Sequence, residues 1–198
     1  MKLGILLSGR GSNFEAIARN VRNGQLSCEI GFVFSNRPDA PGLAIAREYG
    51  LPCGSISSRG IDREEFDLQV IELLRRHQVD LVCLAGYMRL LSGAFVRAFP
   101  QRILNVHPSL LPAFPGLDAQ YQALMHGVKV TGCTVHFVDE NLDSGPILLQ
   151  AAVSVSDDDT AETLSARILR EEHRIYSEAI AWVLAGNYRI DGRRVVKI

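Results

Sequence analysis

Short apolar runs alternate with amphipathic stretches along this chain. Residues 2–7 (KLGILL) and 80–85 (DLVCLA) are continuous apolar runs, which are typical of strands buried in a parallel sheet. In residues 62–77 the apolar residues instead recur at helical spacing. They form one apolar face, made of Phe66, Val70, Leu73 and Leu74. This alternation predicts a single-domain, doubly wound α/β fold with a mostly parallel sheet.

The same pattern gives approximate boundaries for every element. We expect strands at 2–7, 28–34, 52–56, 80–85, 130–138 and 147–153, with a further strand beginning at 102. Helices are expected at 14–23, 41–49, 62–77, 92–99, 119–126 and 159–185. The last helix carries Asp159 and Glu162 in the spacing of a capping box. No repeat or interdomain linker interrupts the pattern.

Composition and charge exclude several classes of protein. The chain has 198 residues, 47% apolar and 22% charged, with 21 Lys and Arg against 22 Asp and Glu. It lacks a basic block that would indicate a nucleic-acid partner, and no apolar run approaches the ~18 residues of a membrane span. The four cysteines form no CxxC pair and occur in apolar, strand-like settings, so we expect buried free thiols in a reduced, cytoplasmic protein.

A glycine-rich turn follows the first predicted strand. Its sequence is SGRGSN, residues 8–13, and a helix is predicted immediately after it, with Ser12 or Asn13 as the N-cap. A strand, a turn and a helix N-terminus provide free backbone N–H groups for an anion. Phe14 occupies the position of the third glycine of GxGxxG, so a single phosphate fits better than a dinucleotide. The alternative is that the glycines serve only a tight turn.

Residues 102–116 (RILNVHPSLLPAFPG) contain the strongest candidate for chemistry. Asn105 and His107 are two residues apart at a strand end, so their side chains point the same way. Three prolines then stiffen the following loop. An amide donor beside a titratable ring suits proton-coupled attack on a carbonyl. In the alternative interpretation these polar residues merely end the strand.

An acidic loop at residues 139–146 ends near Asp143, which is predicted at the same sheet edge. A carboxylate near His107 would favour the imidazolium, and Asn105 would donate to a developing oxyanion. No metal-ligand spacing accompanies these residues. Ser109 lacks a GxSxG setting, so the nucleophile is expected to come from the substrate. For His136 a structural hydrogen bond is favoured over a catalytic role.

The connection at residues 86–91 (GYMRLL) is apolar and follows a buried strand. Such a position is where open α/β sheets bind flat ligands, and also where a hydrophobic cap packs. The residues alone favour neither the ligand site nor the hydrophobic cap.

Four segments carry a resemblance to a known family: GRGSN, AGYMRLL, LNVHPSLLPAFPG and GCTVHFVDENLDSGPILLQ. In this order, and over essentially the whole chain, they resemble the phosphoribosylglycinamide formyltransferases. Methionyl-tRNA formyltransferases would carry an RGAAP-like segment after SLLP and an additional domain, and formyltetrahydrofolate hydrolases an additional N-terminal domain. In place of the RGAAP-like segment, this chain has residues 115–118 (PGLD).

The resemblance implies a Rossmann-like formyltransferase domain over residues 1–198. Residues of about 1–100 would form the phosphate-binding half and about 101–198 the catalytic and folate-binding half. The implied reaction is formyl transfer from 10-formyltetrahydrofolate, a co-substrate, to the amine of 5-phosphoribosylglycinamide in purine biosynthesis. Asn105 would stabilise the oxyanion, His107 would donate a proton, and Asp143 would keep His107 charged and assist proton movement through water.

The resemblance also assigns binding residues. The ribonucleotide would contact Gly11, Ser12, Asn13 and Glu172, and Arg63 would reach the benzoylglutamate tail of the folate. The folate pocket would be completed by Met88, Arg89, Leu90, Leu91, Asn105, Asp139, Glu140, Asn141, Leu142 and Asp143. The bond before Pro112 would be cis. Asn141 and Leu169 depart from residues more usual in the family.

Two other functions remain open at this stage. Water or a different amine could accept the formyl group, or the chain could be a nucleotide-binding regulatory module in which Asn105 and His107 are structural. The expected partners are small-molecule substrates, without metal, nucleic acid or membrane, and the expected state is a monomer or weak homodimer.

Overall fold

Strands and helices alternate as predicted in the computed structural model, which describes residues 1–198. Six helices are present: α1 Ser12–Arg22, α2 Pro41–Glu48, α3 Arg63–Arg76, α4 Gly93–Ala98, α5 Ala119–Met125 and α6 Ala161–Ala185. Nine strands accompany them: β1 Lys2–Leu7, β2 Glu29–Ser35, β3 Cys53–Ser55, β4 Leu81–Leu84, β5 Ile103–His107, β6 Val130–Phe137, β7 Ile147–Ser154, β8 Tyr188–Asp191 and β9 Arg194–Lys197. The predicted α/β class with a mostly parallel sheet is therefore confirmed.

The chain forms two compact units, Met1–Leu104 and Asn105–Ile198. In the first unit the strand order is β3-β2-β1-β4, and all three pairs are parallel. Strands β1, β2 and β4 are buried on both faces, which explains their continuous apolar sequences, whereas the short edge strand β3 is half-exposed. At the carboxyl end of β1 the chain enters the glycine-rich turn and then α1.

The second unit contains the antiparallel pair β6–β7 and the long helix α6, which packs on both strands. The register of this pair shifts between Val135 and His136, because Val135 faces Leu149 whereas His136 faces Ile147. Leu148 is therefore an extra residue on β7, which makes the irregularity a β-bulge.

Strands β8 and β9 are the elements that sequence analysis missed. They form an antiparallel hairpin, and β9 continues parallel to β7 through Ile147 and Arg194. The turn contains Gly192 at a φ of 60°, a value that favours glycine. Its two-residue loop is Gly192-Arg193, and a glycine in the first loop position is a recognised hairpin signal that could have identified the element.

Two predicted helix starts are wrong in detail. Helix α1 is preceded by Gly11 in the left-handed conformation, with a φ of 81°, and no side chain caps it, so neither Ser12 nor Asn13 is its N-cap. Helix α6 is capped by Thr160, whose side chain accepts from the Thr163 N–H in a reciprocal capping box. The predicted Asp159–Glu162 capping box is therefore displaced by one residue.

The thiols also differ from the prediction in part. All four cysteines are free, but only Cys83 and Cys133 are buried, whereas Cys28 and Cys53 are half-buried. Burial and the nearby Glu172 carboxylate raise the pKa of the Cys133 thiol to about 12. The thiolate, which is the nucleophilic form, is thus strongly disfavoured there. None of the helices combines the length and apolar character that crossing a membrane requires.

Gly132 in β6 provides a stringent test of this fold. A Cβ atom at this position would lie 1.9 Å from the Ala151 carbonyl oxygen, which belongs to the paired strand β7. The carbonyl cannot withdraw without disrupting the strand pair. We expect Gly132→Ala to lower the free energy of unfolding by about 3 kcal/mol or more.

Chemical denaturation of the variant and the wild type would measure this loss. Gly9→Ala is the matched control, since a Cβ there would meet nothing within 4 Å. Equal stability of the Gly132→Ala variant and the wild type would contradict the described pairing of β6 with β7.

Candidate active site

Strand β5 presents Asn105 and His107, and the loop after it is fixed by hydrogen bonds to β6 and β7. The Thr134 hydroxyl donates to the Ser109 carbonyl at 2.7 Å and accepts from the Leu111 N–H at 3.0 Å. The Gln150 amide donates to the Leu111 carbonyl at 3.0 Å and to the Thr134 hydroxyl at 2.9 Å. The Leu111–Pro112 peptide bond is cis, as the resemblance implied. These hydrogen bonds therefore hold the loop against β6 and β7, in addition to the stiffness that its prolines provide.

His107 is buried and has an acceptor near each ring nitrogen. Its Nε2 lies 2.8 Å from the Phe114 carbonyl oxygen, so this nitrogen carries a hydrogen and donates it. Its Nδ1 lies 3.5 Å from Asp143 Oδ2, which is ion-pair distance but longer than a normal hydrogen bond. The Nδ1 side is thus the side of the ring that faces the carboxylate.

Asp143 is held at the end of the acidic loop with its side chain only 10% exposed. The Gly116 N–H donates to Oδ2 at 2.9 Å, which ties this loop to the end of the proline-rich loop. The Asp143 backbone has a φ of 47°, within the left-handed region that Asp and Asn tolerate better than most residues. Asn105, His107 and Asp143 are therefore grouped in the second unit, as the predicted catalytic trio requires.

His136 connects the trio, although sequence analysis favoured a structural role for it. Its Nδ1 lies 2.9 Å from the Phe137 carbonyl oxygen, and its Nε2 lies 3.2 Å from Asn105 Nδ2. Because a carbonyl can only accept, Nδ1 carries the hydrogen. Burial lowers the pKa of His136, which favours the neutral ring, so Nε2 is free to accept from the Asn105 amide.

This hydrogen bond fixes the orientation of the Asn105 side chain. One Nδ2 hydrogen is directed to His136, and the second remains available to another acceptor. Asp143 Oδ1 is 3.8 Å from His136 Nε2, so His136 lies between the amide and the carboxylate. The signal for this role was the spacing of Thr134 and His136 on β6, which places both on one face: Thr134 bonds the loop after β5, and His136 bonds Asn105 in β5.

The lowered pKa of His136 predicts a specific dependence of stability on pH. The ordinary pKa of a His side chain is about 6.5. Below this pH the His136 ring is protonated in the unfolded chain, whereas in the folded protein it stays neutral to a lower pH. The contribution of the neutral His136 ring to the free energy of unfolding is therefore fully present above this pH and is lost as the pH falls toward the folded-state pKa. The loss for one group approaches ~1.4 kcal/mol per pH unit.

His136→Gln should flatten this dependence, because glutamine keeps an acceptor for Asn105 but does not titrate. Denaturation curves between pH 5.5 and 7.5 would measure the slope for the wild type and the variant. Identical slopes would mean that His136 is protonated as easily in the folded protein as in the unfolded chain.

In the first unit, the glycine-rich turn has the features of an anion site. Gly11 makes a close approach to α2, since a Cβ on it would lie 2.9 Å from the Gly42 Cα. With no side chain capping α1, no side-chain oxygen competes for the backbone N–H groups of its first turn. These are the residues predicted to hold the phosphate: Gly11, Ser12 and Asn13.

The predicted folate residues of the first unit are mostly at the surface. Met88 and Leu90 are 69% and 56% exposed, and Leu91 is half-buried. The Arg89 guanidinium lies 4.5 Å from the centroid of the Phe66 ring, a cation–π contact. Arg63 begins α3 and is exposed. Met88 and Leu90 are thus accessible to a ligand, as the predicted folate pocket requires, whereas exposed apolar side chains as such are common on protein surfaces.

The remaining predicted binding residues lie in the second unit. Glu172 is buried on α6, although a carboxylate is rarely buried without a partner or a function. In the acidic loop Asp139 is half-buried and its Oδ1 accepts from the Asn141 N–H at 2.9 Å. Glu140, Asn141 and Leu142 are exposed.

Comparison with known proteins identifies the family. Residues 1–180 match the formyl transferase family. The chain belongs to this family. A phosphoribosylglycinamide formyltransferase from Bacillus subtilis (strain 168) is 40% identical over 189 residues, which cover 95% of this chain and 97% of the relative. The predicted resemblance to phosphoribosylglycinamide formyltransferases is therefore confirmed.

A solved structure of the same family is closely similar to this formyltransferase. The glycinamide ribonucleotide transformylase 1 from Symbiobacterium toebii has a TM-score of 0.98 and 53% identity, covering 100% of this chain and 94% of that one. The human trifunctional purine biosynthetic protein adenosine-3 is 44% identical over 190 residues, 96% of this chain. This chain spans only 19% of the length of that relative.

Proposed function

We propose that this formyltransferase transfers the formyl group of 10-formyltetrahydrofolate to the amine of 5-phosphoribosylglycinamide in purine biosynthesis. The observation that carries the proposal is the arrangement of Asn105, His107 and Asp143 in a chain whose full-length relatives include proteins named phosphoribosylglycinamide formyltransferase. These groups can assist addition to a carbonyl, and none of them is an activated nucleophile.

The proposed reaction is a direct attack. The substrate amine forms a bond to the formyl carbon, and the carbonyl electron pair moves to oxygen, which becomes an oxyanion in a tetrahedral intermediate. The free Nδ2 hydrogen of Asn105 donates to this oxygen. The bond between the carbon and N10 then breaks, N10 receives a proton, and the amine nitrogen loses one.

His107 and Asp143 carry out the proton transfers in this proposal. Because Nε2–H of His107 is engaged by Phe114, we assign proton donation to the Nδ1 side of the ring. The 3.5 Å between Nδ1 and Asp143 Oδ2 is longer than a hydrogen bond, as is common before substrates bind and active-site contacts tighten. Asp143 stabilises the positive ring and relays the amine proton through water.

Substrate binding is assigned to two sets of residues. The backbone of Gly11, Ser12 and Asn13 holds the phosphate at the start of α1, and Glu172 contacts the ribose or glycinamide. Folate is held by Arg63, by Met88 to Leu91 and by the acidic loop. The chain is proposed to act in the cytoplasm as a monomer or weak homodimer on small molecules alone, with no metal.

The proposal is tested by mixing purified protein with 10-formyltetrahydrofolate and 5-phosphoribosylglycinamide. Tetrahydrofolate and the formylated ribonucleotide should form in equal amounts. A parallel reaction without the ribonucleotide tests water as acceptor and should release little tetrahydrofolate. No turnover by folded protein, or release that ignores the ribonucleotide, would refute the proposed acceptor.

A further inference from the structure

Ser8 is a buried residue to which the catalytic arrangement assigns no role. It follows β1 directly and is 3% exposed. Its hydroxyl donates to Asn36 Oδ1 at 2.6 Å and accepts from the Met88 N–H at 2.8 Å. Its own N–H donates to the Gly86 carbonyl at 3.0 Å. Ser8 therefore makes two of its three hydrogen bonds with the segment 86–88.

The direction of these hydrogen bonds is determined by chemistry. A serine hydroxyl has a single hydrogen, and the Met88 N–H can only donate, so that hydrogen must go to Asn36. Asn36 lies immediately after β2, and its Nδ2 donates to the Ser58 hydroxyl at 3.4 Å while its Oδ1 accepts from Ser8. The result is a small buried network in which each group orients the next.

The hydrogen bonds of Ser8 join two segments that are assigned to different substrates. Ser8 opens the glycine-rich turn, three residues before Gly11, whereas Met88 opens the apolar segment 88–91. Under the proposed function these two segments bind different substrates, the ribonucleotide and the folate. One hydroxyl thus restrains both segments.

We infer that Ser8 is a positioning residue that couples the two substrate sites. The inference rests on the proposed function. When a phosphate orders the turn, the hydrogen bond that the Met88 N–H donates to Ser8 restrains Met88, so less freedom is lost when the folate binds afterwards. The coupling is reciprocal, since each ligand must raise the affinity for the other by the same factor.

Calorimetry on the full chain measures this coupling without turnover. Tetrahydrofolate carries no formyl group, so its Kd can be determined with and without saturating 5-phosphoribosylglycinamide. For the wild type we expect the ribonucleotide to tighten tetrahydrofolate binding by about 5-fold or more. In Ser8→Ala, which removes both side-chain hydrogen bonds, the ratio of the two Kd values should fall to about one.

Ser35→Ala is the matched control. Ser35 is fully buried, and its hydroxyl accepts from the Arg37 N–H at 3.0 Å, so its side chain is bonded within the turn after β2 and not to Met88. A loss of stability alone would affect both variants, whereas a loss of coupling should affect only Ser8→Ala. Equal ratios for Ser8→Ala and the wild type would overturn the inference.

Asn36→Ala provides a second variant in case Ser8→Ala does not fold. It removes the acceptor that orients the Ser8 hydroxyl but leaves an oxygen for Met88, so the ratio should fall part of the way toward one. An unchanged ratio in Asn36→Ala contradicts the coupling. If both ligands bind the wild type with a ratio of one, only the inference fails; if tetrahydrofolate does not bind at all, the proposed function fails.

Discussion

Asp143→Asn is expected to lower kcat by about a thousandfold, within the ~10²–10⁴ range typical of general acid–base groups. The substitution preserves the shape of the side chain and retains an oxygen for the Gly116 N–H. It removes the negative charge 3.5 Å from His107 Nδ1, together with the group that accepts the amine proton. Steady-state kinetics with both substrates would measure the effect, and the melting temperature should change by only a few degrees.

Asp118→Asn is the matched control for this loss. Asp118 also has a left-handed backbone, with a φ of 55°, so both substitutions introduce asparagine in a conformation that it tolerates. The Asp118 variant should keep kcat within about twofold of the wild type, since general acid–base catalysis is not assigned to it. A kcat for Asp143→Asn equal to that of the control would remove Asp143 from the mechanism.

Asn105→Ala is expected to lower kcat by ~10²–10³, the usual effect of losing one oxyanion donor. The proposed donor is the Nδ2 hydrogen that His136 does not engage. The Michaelis constants should change less than kcat, because the oxyanion exists only in the intermediate and the flanking transition states. Rapid-quench measurement of a single turnover would separate the chemical step from product release.

A double substitution tests whether His136 acts through Asn105. His136→Ala should lower kcat because the Asn105 amide loses the partner that orients it. When Asn105 is already alanine, the same change at His136 should have little further effect, since there is no amide left to orient. Additive losses in the double variant would show that His136 acts independently of Asn105.

Much of the fold was accessible from sequence because most elements carry strong periodicity. The buried strands of the first unit lack polar interruptions, and α3 keeps one apolar face over its length. The Asn105 and His107 pair could be recognised because a strand places alternate residues on one face. The identity of the third member, Asp143, required tertiary proximity across 36 residues of sequence, which the acidic loop only suggested.

The features that sequence analysis missed depend on local geometry or on tertiary contacts. The β8–β9 hairpin is short and half-exposed, so its alternation is weak, and its Tyr188 ring packs against Phe137 and Trp182. Gly11 caps α1 through its backbone conformation, which no side-chain preference reveals. The spacing on β6 places His136 beside Thr134, but the contact of its Nε2 with Asn105 depends on how β5 lies beside β6 in the sheet.

The β-bulge between β6 and β7 bears on attempts to stabilise or redesign this enzyme. Regularising a strand pair is a common engineering step, and deleting Leu148 would restore one-to-one pairing. The deletion would leave Gln150 paired with Thr134, but it would remove the local twist opposite His136, whose Nε2 accepts from the Asn105 amide. A more regular sheet would therefore change the direction of His136 and with it the orientation of Asn105, and a gain in melting temperature would come with a loss of catalysis.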